Sequence, residues 1–94
     1  MQFFSNCTNL KTFNANLSSL TNGEFMFYGC EHLTSFSGDL RSLTDGDAMF
    51  YGCKHLTSFS GDLSSLTTGT SMFLNCLLDL TSVANIAETI KQVT

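Results

Sequence analysis

Ninety-four residues with a net charge of −4 and only 13% charged side chains bound one domain with a neutral, hydroxyl-rich surface. The four bases Lys11, Arg41, Lys54 and Lys91 are scattered, which excludes the clustered Lys and Arg that nucleic acid demands. At 43% hydrophobic residues the chain builds a core and is not a disordered tail.

In chain order the sequence is one phrase written again and again. Residues 26–48 and 49–71 differ at only five of 23 positions, and the period is the spacing of Met26, Met49 and Met72. Sliding the frame back recovers a divergent copy at 3–25, with Phe3 and Phe4 in the Met-Phe column. Sliding it forward opens a shorter copy at 72–83. Self-similarity at such a period marks a stack of coils, each unable to bury its apolar face alone. The array begins in mid-phrase at Phe3, as an excised piece of a longer array does; a naturally short gene is the alternative. No apolar run has the length of a membrane span, and the residues after Met1 lack the charged start and apolar stretch of a secretion signal.

Within one coil the apolar columns are Cys30, Leu33, Phe36, Leu40, Leu43, Met49 and Phe50. Their spacing sustains neither a helical nor a strand period along the whole coil, so bends must intervene. The seven glycines supply them, falling in three columns, 23/46/69, 29/52 and 38/61. Thr34 to Ser37 is the best strand, with Phe36 inward and Ser35 and Ser37 outward. Equivalent strands of successive coils then pair in parallel and in register, about 4.8 Å apart. After residue 81 the pattern changes: Val83, Ile86, Ala87, Ile90 and Val93 define one face of a helix over about 82–93, placed to cover the last coil.

The column set Cys30, Leu33, Phe36, Leu40, Leu43, Met49, Phe50 and Cys53 resembles the leucine-rich repeat of the BspA-like type, from about Phe3 to Cys76. The residues before the bend glycines, Asn22, Asp45 and Thr68, depart from it by being polar. The closing phrase Leu80 to Ile90 looks like the segment that ends such arrays in proteins of gut bacteria and their phages. The fold expected is a single domain over 1–94, a mainly β, right-handed solenoid of about four 23-residue coils with one short parallel strand each and a C-terminal capping helix. The resemblance implies a non-enzymatic protein- or glycan-binding and adhesion module at a cell surface, secreted or on a virion. A structural spacer or self-assembling stack is the alternative. Neither a cofactor nor membrane insertion is expected.

Four candidate features follow. Cys7, Cys30, Cys53 and Cys76 share a column, where parallel side-chain vectors favour buried, reduced thiols over disulfides. His32 and His55 stack on the surface and offer at most a weak metal site. Ser35, Ser37, Asp39, Ser58, Ser60 and Asp62 line the candidate binding face, because solenoids generally bind through the surface their stacked strands line. Tyr28 and Tyr51, an aromatic column continued by Ser5 and Leu74, are counted with these binding residues as a shelf for a sugar or a protein side chain, with edge-of-core packing as the alternative. At the first coil Phe3, Phe4, Leu10, Phe13, Leu17 and Leu20 lie beside an unpaired strand, the combination that favours self-association.

Overall fold

Strands form where a phenylalanine is flanked by small hydroxyl or amide residues: Thr12–Asn16 (β1), Ser35–Asp39 (β2) and Ser58–Ser60 (β3). The computed structural model describes residues 4–77. The three strands make one parallel sheet in the order β1-β2-β3, and each residue pairs with the one 23 positions on, as in Phe13 with Phe36 and Phe36 with Phe59. The strand starts one residue later than Thr34 and runs on through Gly38 to Asp39 in β2. Phe36 is inward and Ser37 outward, as alternation requires. The helix over 82–93, the end of the fourth repeat and Phe3 lie outside the described residues.

The bends are bonded as thoroughly as the strands. At the corner after β1 and β2, single parallel bridges join Asn22 to Asp45 and Asp45 to Thr68. Their polar side chains have work there: Asn22 Oδ1 accepts from Glu24 N (2.9 Å) and Asp45 Oδ1 from Asp47 N (3.0 Å). An apolar residue could not cap the turn in this way. Around the Met-Phe corner, Phe27 N donates to Met49 O and Gly29 N to Tyr51 O, both at 2.8 Å. Each unit thereby satisfies the backbone of the next on every side of the coil.

Two residues per unit take left-handed backbone. One column runs Asn6, Gly29, Gly52 and Asn75, with φ from 60° to 76°. It is filled only by the residue types that tolerate this region at little cost. The other runs Phe25, Ala48 and Ser71, with φ of 60°, 53° and 57°.

Inside, the core is a herringbone of phenylalanines. Phe4, Phe27, Phe50 and Phe73 stack nearly parallel with ring centroids 5.2–5.4 Å apart, and Phe13, Phe36 and Phe59 form a second column at 5.2–5.4 Å. The columns meet edge to face, Phe50 lying 5.0 Å from Phe36 and 5.5 Å from Phe59. Such offset and T-shaped pairs add to area burial. Leu33, Leu40, Leu43, Leu56, Leu63, Met49 and Met72 fill the rest without exposure. The first unit is less covered: Phe4, Leu10, Phe13, Leu17 and Leu20 are half-buried, whereas Leu33, Phe36, Leu40 and Leu43 one unit on are within 1% of complete burial.

Candidate functional site

The sheet's outer face carries three rungs in register, Thr12 and Asn14, Ser35 and Ser37, Ser58 and Ser60. Asn14, Ser37, Ser58 and Ser60 are exposed, while Ser35 is half-buried. At the rung ends Asn16, Asp39 and Asp62 turn inward on their own chain. Their Oδ1 atoms accept from the amides of Ser18 (2.8 Å), Arg41 (3.1 Å) and Ser64 (2.9 Å). Arg41 also forks Asp39, its Nε lying 3.1 and 2.9 Å from the two carboxylate oxygens and its Nη2 reaching Oδ2. These side-chain bonds, reinforced by the Arg41 amide, hold the Asp39 carboxyl below the usual range. Ser64 does the same for Asp62 through its hydroxyl and then its amide. Asp39 thus closes β2, and Asp62 caps the turn that follows β3.

Tyr28 and Tyr51 stack with centroids 5.1 Å apart and planes within 6°, and Phe25 abuts Tyr28 edge-on at 5.6 Å. Beside them Glu24, Asp45 and Asp47 bring carboxylate oxygens within 4.8 Å of one another. The sequence reading missed this cluster, although Glu24 and Asp47 are one period apart and Asp45 precedes Asp47 by two, a spacing that could have found it.

The histidines are held singly. Each Nδ1 donates to a carbonyl of the unit below, His32 to Thr8 O at 2.7 Å and His55 to Glu31 O at 2.8 Å. Bonded alike, the rings lie parallel within 9° and 6.1 Å apart. With Nδ1 so engaged, each ring keeps one nitrogen, Nε2, to offer a ligand.

The cysteine column is a thiol-to-carbonyl ladder. Cys30 Sγ donates to Phe4 O (3.0 Å), Cys53 to Phe27 O (3.2 Å) and Cys76 to Phe50 O (3.0 Å). All four are free, with Cys30 and Cys53 buried. Cys7 and Cys76 are only half-buried, which corrects the expectation of uniform burial: a column is covered in its middle and thinner at its ends. Burial raises the Cys30 thiol, and contact with the Cys76 thiol together with burial raises Cys53, so neither is a ready thiolate.

Stacked, in-register coils with a phenylalanine core and a polar strand face define a mainly β repeat protein, and among the described residues no helix is long and apolar enough to cross a membrane. The chain belongs to the BspA-type leucine-rich repeat family: the model of the "BspA type Leucine rich repeat region (6 copies)" matches residues 1–94. No curated protein and no solved structure matches the chain.

Proposed function

We propose that this chain is a non-enzymatic binding and adhesion module of a bacterial surface or phage protein, a right-handed solenoid of about four coils, and that its protein or glycan ligand lies on the strand face. The observation that carries this reading is the set of exposed Asn14, Ser37, Ser58 and Ser60 on consecutive rungs. Their backbone is spent within the sheet, which leaves a firm array of free hydroxyl and amide groups. Family membership supports it further, such repeats being widely used for surface adhesion and protein binding. Glycan and surface-protein arrays probed with the parent and with a Ser58→Arg, Ser60→Arg variant test it. Binding by the parent should vary little with salt, since the face is nearly neutral, and the variant should lose it. Unchanged binding by the variant would move the site off the strands.

A second reading, self-association, is favoured by the half-exposed Phe4, Leu10, Phe13, Leu17 and Leu20 on the first described unit. These side chains are already partly buried, so completing the burial of each adds only a fraction of the roughly 1.5–3 kcal/mol that full burial is worth, before association entropy is subtracted. A symmetric end-to-end dimer is the closed arrangement. Sedimentation velocity across micromolar concentrations should show a dimer that a Leu17→Glu, Leu20→Glu variant loses. A parent that stays monomeric throughout contradicts it.

A further inference from the structure

We propose that the groove beside the stacked tyrosines is a second binding site, and that it takes a guanidinium side chain, an arginine of a protein partner. The groove encloses about 430 Å³ and is lined by Tyr28, Tyr51, Phe25 and Ala48 together with Glu24 and Asp47. It belongs to the corner that precedes Cys30 and Cys53, a different part of the coil from the strand face, and stands or falls independently of that face.

Its chemistry selects the occupant. The aromatic wall is preassembled, because the two rings already stack and Phe25 braces Tyr28. Aromatic faces attract cations, and the flat, weakly hydrated guanidinium also stacks on them, which a lysine ammonium does not. The carboxylates of Glu24, Asp45 and Asp47 are gathered within 4.8 Å, and among the described residues none of them has a salt-bridge partner. Among the described residues Arg41 is paired with Asp39 and Lys54 with Glu31. Lys11 lines a separate cleft with His32 and His55. Asp47 Oδ1 is engaged by Thr70 N at 2.8 Å, which fixes the carboxylate and leaves its other oxygen to a ligand. A fixed carboxylate next to an aromatic stack matches the fork and the face of arginine together. A neutral sugar would use the stack and leave the clustered charge uncompensated; a metal ion would use the charge and ignore the stack.

The chain contains two tyrosines and no tryptophan, so intrinsic tyrosine emission reports on this groove alone. The 94-residue protein is titrated with acetyl-Gly-Arg-Gly amide, its citrulline counterpart, methyl glucoside and calcium chloride. The arginine peptide should change the emission saturably with a Kd on the order of millimolar. The citrulline peptide should bind about fivefold more weakly or worse, as should the arginine peptide to a Glu24→Gln, Asp47→Asn variant. The Asn side chain keeps an oxygen that can accept from Thr70 N, and circular dichroism checks that the fold is retained. Equal affinity for arginine and citrulline, no loss in the double variant, or no saturable change overturns the proposal. So does a response to methyl glucoside or calcium in place of the peptide.

Discussion

Phe50→Ala is expected to lower the melting temperature by more than about 12 °C. Phe50 has no exposed surface, stacks on Phe27 and Phe73 at 5.2 and 5.4 Å, and meets Phe36 and Phe59 edge to face. Truncation removes the ring's transfer energy and leaves a cavity between four rings that cannot all collapse into it. Phe→Ala changes of this kind cost about 3–5 kcal/mol. Against a total stability of roughly 5–15 kcal/mol, that removes between about a fifth and all of it. Phe4→Ala, in the same column but half-exposed, should cost well under half as much. Denaturant unfolding of the two variants checks the contrast, and equal costs would mean that the columns do not form a continuous core.

Gly52→Val should destabilise by about 1–3 kcal/mol, while Gly52→Asn should be nearly silent. Gly52 has φ of 76°, a region that a β-branched side chain enters only under strain. Space is not the obstacle, since an added Cβ would meet only backbone atoms of Gly29 at 3.8 and 3.9 Å. The column itself supplies the control: Asn6 and Asn75, one and two periods away from glycines, take the same conformation with φ of 60° and 64°. Thermal melts of the two variants decide it. Asparagine as damaging as valine would show that the column admits no side chain at the interior rungs.

Much of this architecture was readable before any coordinates, because a repeat writes each contact several times. Phe36 and Ser37 could be placed inward and outward by alternation alone, and the parallel register followed from the 23-residue period. Less legible was what depends on angles between elements. Phe36 and Phe50 were both recognisable as core columns, yet nothing in a linear pattern says that they interlock edge to face. The polar corner departed from the expected apolar pattern because Asn22 and Asp45 answer a local need, each capping the turn amide two residues ahead, while nothing in the structure explains Thr68. For the candidate sites, the Ser ladder was visible as a column of identical residues. Asp39 and Asp62 belonged to that column by spacing, but their use as strand-end caps depends on side-chain torsion that spacing does not encode. The acidic cluster was missed because Asp45 and Asp47 stand in different columns of the repeat, and the column of Glu24 and Asp47 ends at Thr70.

The claim on which all else rests is that every coil is bonded to its neighbour in one register, so that equivalent residues form columns. Scalar couplings across hydrogen bonds, measured by NMR on labelled protein, test it directly. They should link Phe27 N to the carbonyl of Met49, Gly23 N to that of Asp45, and Thr34 N to that of Lys11. Couplings that instead join residues close in sequence across hairpins, or that join coils at any offset other than one repeat, would contradict the stack.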